Sequence, residues 1–346
     1  MNSPQIFGLF VVVISGLWIG GGGWPIKLLR AYKYEHIGLI VNVLALLIGP
    51  WVVTLLFCPH AIDAYRSVDP EVLIKSNVFS LAWGVANILC LLCYLRIGFS
   101  LTGGILVGVA IPIGVVIPMI FKGSGLFSHA PSPSSAAGLA VLAGAAVMVA
   151  GVILVVVSAL GRERALAQTN TVSRKMGTGL LMAVTCGVLS VGNSFSFVYC
   201  QGPIVSAMKA HGAGDIASNF AVWAVGLFAG GLINVLYPVW LLFRNKSWGV
   251  FLQNPRDLLL CVFCGVQGSF AFTVMGWGML YLGAFGASVG FGVSQAMQMI
   301  GGQIVGFAWG EWAGVKGKPR LNMYIAIAIL IVAVGILAAG NTLNGS

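Results

Sequence analysis

Charged side chains are scarce in this sequence. Asp, Glu, Lys and Arg together make up 8% of its 346 residues, against roughly 25% in a soluble domain. So few charges cannot cover a water-facing surface of this size, which excludes a soluble globular fold. Two-residue alternation is missing from the apolar runs, which excludes a membrane β-barrel, the one alternative to helices that satisfies the backbone in lipid. Chemistry-bearing groups are missing from the centres of those runs. Glu35, Asp63, Asp69, Glu71, Glu163, Asp215, Asp257 and Glu311 fall in loops or near run ends, as do His36, His60, His129 and His211. Membrane hydrolases and transferases need clustered His, Asp, Glu or Cys, so an enzyme is not expected. The cysteine pairs Cys90/Cys93 and Cys261/Cys264 have no His, Asp or Glu beside them in sequence and read as small apolar packing residues. Ahead of the first apolar run, MNSPQ carries no basic segment, so that run reads as a retained helix rather than a signal peptide.

What is present is hydrophobic: 59% of residues are apolar, in runs of about 20 that match a hydrocarbon core about 30 Å thick. Ten such runs predict an all-α integral membrane protein: Gln5–Trp24, Ile37–Phe57, Asn77–Leu95, Phe99–Phe121, Ala136–Leu160, Gly177–Tyr199, Ser218–Phe243, Leu258–Tyr281, Phe285–Ala308 and Leu321–Gly340. The net charge of +10 comes from basic residues scattered over short loops, with no dense patch, so nucleic acid is not an expected partner. Fourteen of the 18 Lys and Arg residues fall in the connections after the odd-numbered runs, which places those loops in the cytoplasm and both termini outside. A bacterial-type cytoplasmic (inner) membrane is the expected location.

The chain also repeats itself. YLRIGFSLTGGILVGVAIPIG from Tyr94 parallels YLGAFGASVGFGVSQAMQMIG from Tyr281, and Gly8–Trp24 parallels Gly179–Phe195. Residues 1–165 and 177–346 then form two five-helix repeats joined by a polar cytoplasmic linker at 166–176. An odd number of spans per repeat inserts the second upside down relative to the first, an arrangement typical of secondary transporters. Small-xxx-small pairs such as Gly16/Gly20, Gly104/Gly108, Gly226/Gly230, Gly286/Gly290 and Gly302/Gly306 predict close helix contacts. The Gly20–Gly23 run before Pro25 predicts a local unwinding or a close contact.

Uncharged polar groups inside the runs mark where a solute can sit. Asn87 shares a helical face with Ser80, Trp83 and Tyr94. Gln295 and Gln298 lie in the ninth run with Ser288 and Ser294, Gln267 in the eighth, and Asn193 with Ser194 and Ser196 in the sixth. Trp18, Trp223 and Trp277 are deep, whereas Trp24 and Trp248 fall at interfacial positions. Amides offer paired donors and acceptors for hydroxyls, and an indole covers the apolar face of a pyranose, so a small sugar is the expected substrate. Each amide has a plainer alternative, a hydrogen bond to a neighbouring helix.

GPWVVTLLFCP (Gly49–Pro59), WGVANI (Trp83–Ile88), CGVLSVGNSF (Cys186–Phe195), GGLIN (Gly230–Asn234) and GGQIVGFAWGEW (Gly301–Trp312), in this order, resemble the L-rhamnose–proton symporter family of the drug/metabolite transporter superfamily. The resemblance implies the inverted five-plus-five fold, uptake of a 6-deoxyhexose and proton coupling. Glu35, Asp215 and Glu311 match acids of that family and are the ion-coupling candidates, while Ala287 stands where family members can carry an acid. No cofactor or metal is expected beyond a proton or other coupling ion, and the chain works in the bilayer as a monomer or homodimer. The competing readings are a uniporter, exchanger or exporter of another polar metabolite, and a receptor or passive structural protein.

Overall fold

The computed structural model describes residues 3–97, 99–120, 132–166, 176–282 and 289–342. Among the described residues every regular element is a helix. In order these are α1 (Ser3–Gly21), a 3-10 turn (Trp24–Leu28), α2 (Tyr34–Asn42), a π-helical stretch (Val43–Ile48), α3 (Gly49–Phe57), α4 (Ala61–Ser67), α5 (Pro70–Ile97), α6 (Phe99–Ile120), α7 (Ala136–Leu166) and α8 (Met176–Ser190), then α9 (Gly192–Ala210), α10 (Asp215–Gly226), α11 (Phe228–Asn245), α12 (Val250–Gln253), α13 (Pro255–Leu282), α14 (Phe291–Ala308) and α15 (Lys318–Thr342). Among the described residues seven helical segments are long and apolar enough to cross a membrane, and α10 with α11, bent by 46°, makes an eighth if the pair is one span. The protein is a multi-pass integral membrane protein. Helices α6 and α14 occupy the positions of the two remaining expected spans. Most of the 166–176 linker, Gly286, Ala287 and Ser288 lie outside the described residues, as does the side chain of Tyr94.

Local chemistry sets the helix ends. Pro70 and Pro255 open α5 and α13, where a missing N–H costs nothing. The Asp69 carboxylate accepts the Glu71 N–H at 2.9 Å and caps α5. Helix α1 stops in its glycine run, and Pro25 sits in the 3-10 turn that follows, where it cannot donate to a continuing α-ladder. Three expected spans are interrupted. The second passes through a π-helical stretch before Gly49-Pro50, the sixth breaks at Val191, and the seventh bends at Leu227. Large apolar side chains, Leu56, Ile74, Leu181, Phe243 and Leu259 among them, face outward. Apolar patches of that extent belong against lipid rather than water.

The packing is paired. Helix α1 lies on α13 and α14, while α8 and α9 lie on α5 and α6. Helix α11 packs on α5, and α2 with its π stretch packs on α13. Helix α7 meets α15, and α2 meets α11. Two seams correspond closely. A Cβ on Gly16 of α1 would lie 2.8 Å from the Ser294 carbonyl and 2.7 Å from Met297 Cβ of α14. A Cβ on Gly187 of α8 would lie 3.0 Å from the Leu106 carbonyl and 2.7 Å from Val109 Cβ of α6. In lipid, association rests on such close backbone approach.

Candidate functional site

A cleft opens where α6, the α8–α9 junction and α14 converge. It is lined by Ala110, Ile111 and Gly114 of α6, Ser190, Val191, Asn193 and Ser194 of the junction, and Phe291, Gly292 and Gln295 of α14. Asn193 and Ser194 follow Val191, the residue at which α8 gives way to α9. Its two sides differ in chemistry. The junction and α14 supply two amides and two hydroxyls, whereas α6 supplies only apolar side chains. Asn193 Oδ1 is buried and accepts no hydrogen bond, and a buried acceptor left unpaired costs roughly 1–3 kcal/mol. Ser190 Oγ donates to the Gly187 carbonyl at 2.8 Å, which leaves its oxygen free to accept. The cleft measures about 50 Å³, room for a few waters. A monosaccharide fits only if the walls part.

Of the residues expected to bind substrate, the structure brings Asn193 and Gln295 together here. Trp223 stands behind the cleft rather than in it, 1% exposed and packed on Phe197 at a ring distance of 4.4 Å with the planes tilted by 35°. Phe291 packs on both, 5.8 Å from Phe197 and 6.3 Å from Trp223, so the aromatic cluster holds the cleft's Phe291 wall. Trp83 and Asn87 lie on α5, half-buried, and Trp83 faces Gly230 of α11. The other four surround α1. Trp18 packs on Phe270 at 5.1 Å, and Trp277 meets Phe7 edge-on at 5.4 Å. Gln298 Nε2 donates to Ser294 Oγ at 3.2 Å, and its backbone carbonyl abuts Gly20. Gln267 Nε2 donates to the Cys264 carbonyl at 3.3 Å, while its Oε1 is buried against Gly22 without a partner.

Carboxylates fasten one end of the bundle. Glu311, after α14, pairs with Lys27 after α1 and, at 2.9 Å, with Arg162 of α7. Burial pushes the Glu311 carboxyl up, but Lys27 and Arg162 outweigh it and hold the group below its ordinary value. Asp257, 1% exposed at the start of α13, accepts the backbone N–H groups of Arg30, Ala31 and Tyr32 on Oδ2 at 3.1, 2.8 and 3.2 Å. Glu35 is buried and accepts from Asn245 Nδ2 at 3.0 Å and Ser247 Oγ at 3.4 Å. His36 Nδ1 accepts the Lys33 N–H at 3.2 Å, which leaves Nε2 as the donor to the Ser247 carbonyl at 3.0 Å. The whole α1–α2 connection is thereby tied to α11, α13 and the α14–α15 connection. Asp215 differs: it is exposed and pairs with Lys209 at 2.6 Å.

Sequence reasoning missed the α6 wall and Asp257. An apolar residue lining a cleft looks like one facing lipid. Asp257 is a lone acid after Pro255-Arg256, and its donors come from a loop far away in the chain.

The sequence profile of the L-rhamnose-proton symport protein (RhaT) family matches residues 1–342. An L-rhamnose-proton symporter of Pectobacterium atrosepticum is 26% identical, over 98% of this chain and 99% of its own length. Those of Cronobacter sakazakii and Klebsiella pneumoniae are 26% and 24% identical, over 92% and 98% of this chain and 93% and 99% of theirs.

Proposed function

The chain belongs to the L-rhamnose-proton symport protein family, and from this we propose that it is a secondary active transporter that takes up L-rhamnose or a related 6-deoxyhexose together with protons. It is a carrier, not an enzyme. The observation that carries the reading is a family match along essentially the whole chain, from residue 1 to 342, in a bundle that holds a part-polar cleft with an unpaired amide oxygen. The sugar binds in that cleft, with Asn193, Gln295 and the serines on its hydroxyls and Phe291 against a ring face.

Transport proceeds by alternating access between two inverted five-helix repeats, 1–165 and 177–346, of ten spans in all. The packing supports this division. Exchanging the halves maps α1 on α13 and α14 onto α8–α9 on α5 and α6, maps the seventh span (α10–α11) on α5 onto the second (α2–α3) on α13, returns α7–α15 to itself, and turns the α2–α11 contact into α10–α3. The matched seams differ in one respect. The α8–α6 side stands open beside Asn193. The α1 side is shut, with Gly20 against the Gln298 carbonyl and Gly301 against the Leu17 carbonyl. The second conformation exchanges these roles, opening α1 away from Gln267 and Gln298 and closing the α8–α9 junction on α6 beside Asn193.

The carboxylate-tied end carries the loops richest in Lys and Arg and is the cytoplasmic face, with both termini outside a bacterial inner membrane. Of the coupling candidates, Glu35 and Glu311 belong to ties that must release for inward opening, so a proton taken by either favours that state. Asp215 lies at the opposite face, in solvent. Any ligand shifts the two conformations only by its difference in affinity for them.

Proteoliposomes holding the purified chain test the reading. An imposed inward proton gradient drives accumulation of L-rhamnose above its external concentration. Equilibration without accumulation reduces the protein to a uniporter, and no entry at all removes the sugar.

A further inference from the structure

Helix α15 holds one charged side chain firmly in place without neutralising it. Arg320 lies in the first turn. Its Nε donates to Tyr324 Oη at 2.9 Å, and its guanidinium carbon stands 5.9 Å from the ring centres of both Tyr324 and Phe307 of α14. Those two rings stack on each other, 5.4 Å apart and 13° from parallel. The stack and the hydrogen bond fix the orientation of the guanidinium. Among the described residues no carboxylate pairs with Arg320, nor with Lys316 or Lys318 just before it. Glu311, on the same connection, is taken by Lys27 and Arg162, and the first turn of α15 contains no acid. An oriented guanidinium with no carboxylate on its terminal nitrogens is built to grip a phosphate at two points.

Beyond Arg320 the same face turns apolar. Arg320 and Tyr324 are followed at helical spacing by Ala328, Ile331 and Gly335, all exposed. A Cβ added at Gly335 would meet nothing within 4 Å. Ile331 and Ile304, the latter one turn before Phe307 on α14, are each 55% exposed. Helix α15 packs mainly on α7 and leaves this side to the bilayer. Tyr324 and Trp309 stand exposed near the charged end, as aromatic side chains do at the membrane–water boundary. We propose that the α14–α15 face centred on Arg320 binds an anionic phospholipid, with the lipid phosphate on Arg320 and Lys318 and an acyl chain along Ala328, Ile331 and Gly335. A zwitterionic lipid offers the same phosphate, but its own cation is repelled by the neighbouring lysines, so the face selects net negative charge. The bound lipid clasps α14, which carries Gln295, to the α7–α15 pair.

The test is native mass spectrometry of the full chain released from micelles holding equal amounts of phosphatidylglycerol and phosphatidylcholine with matched chains. The unaltered protein retains phosphatidylglycerol at least about fivefold over phosphatidylcholine, since each basic side chain near a lipid surface contributes about 1 kcal/mol. Arg320→Gln brings the ratio down about fivefold. Lys318→Gln, outside the aromatic stack, lowers it in the same direction, so it decides the matter if the first variant fails to fold. Arg66→Gln, on exposed α4, leaves the ratio unchanged. Equal retention of the two lipids by the unaltered protein overturns the assignment, as does a preference that Arg320→Gln and Lys318→Gln leave intact or that Arg66→Gln lowers as much. Displacement of the lipid by an equal concentration of inorganic phosphate also overturns it, because a headgroup phosphate alone would then suffice. So does a dimer that Arg320→Gln dissociates with lipid retention unchanged, which would assign the face to a second copy of the chain.

Discussion

Replacing Asp257 by alanine should loosen the carboxylate-tied end of the bundle more than any other single carboxylate change. One oxygen of this side chain accepts three consecutive backbone N–H groups at 3.1, 2.8 and 3.2 Å. A hydrogen bond to a charged acceptor contributes about 1.5–3 kcal/mol, and each buried N–H left unpaired costs a further 1–3 kcal/mol or so. The three share one acceptor and one loop, so these terms do not add in full. The loop also admits water once released. We expect Asp257→Ala to destabilise by about 2–4 kcal/mol. Asp257→Asn keeps an oxygen for the three donors and loses the charge, at about 1–2 kcal/mol. Thermal unfolding in detergent followed by tryptophan fluorescence gives the order parent, Asn, Ala. Cys261 lies one turn further along α13 and is buried. With the other six of the seven cysteines replaced, a thiol reagent added to the protein in detergent should modify Cys261 at least about tenfold faster in the alanine variant. If Asp257→Ala melts with the parent and leaves Cys261 equally protected, the three-donor pin is not what holds the α1–α2 connection closed.

Further outcomes follow from the same geometry. Asn193→Ala and Gln295→Ala should each reduce L-rhamnose uptake by the equivalent of roughly 1–3 kcal/mol while the protein still inserts at normal levels, checked by initial rates per reconstituted molecule. Gly301→Ala puts a methyl against the Leu17 carbonyl and should destabilise the α1–α14 seam by about 1–3 kcal/mol. If the second conformation opens that seam, the variant also labels faster from the cytoplasm at position 302 converted to cysteine. Glu311 is held below the ordinary carboxylate value by Lys27 and Arg162, so its contribution is complete above the unfolded-state value near 4.3 and is lost as pH falls through the depressed one. The Glu311 contribution to melting temperature should therefore stay constant between about pH 6 and 8, and Glu311→Gln should cost no more than about 1 kcal/mol per ion pair at this exposure. A parent-to-Gln difference that grows toward high pH within that window contradicts the assignment.

Helix positions were legible because hydrocarbon thickness is a one-dimensional constraint. The expected Leu258–Tyr281 and Leu321–Gly340 lie within the observed α13 and α15, with a few residues added at the ends by Pro255 and by Lys318. The interruptions were less legible. Gly226 precedes the bend at Leu227 and Gly192 follows the break at Val191, but 48 glycines in the chain make any one of them a weak marker. Asn193 and Gln295 stood out as polar atoms in apolar runs, and both reach the cleft. Gln267, Gln298, Trp18 and Trp277 stood out for the same reason, yet they cluster on α1, because helix rotation is fixed by tertiary contacts that sequence spacing does not carry. Trp223 looked like a sugar platform and is instead enclosed by Phe197, Phe272 and Phe291.

The π-helical stretch at Val43–Ile48 and the bend at Leu227 touch each other: a Cβ on Gly231, one turn past the bend, would meet Leu47 at 2.7 Å and Leu46 at 3.1 Å. One departs from α-helical pitch and the other is bent by 46°, the two kinds of site at which long helices yield. With the two knuckles in contact and Asn42 Nδ2 bonded to the Asn234 carbonyl at 3.0 Å beside them, tilting the upper arm of one span levers the arm of the other. Two irregular points held in contact are placed to tilt together rather than independently, so a strain applied to the second span is expected to reach the seventh.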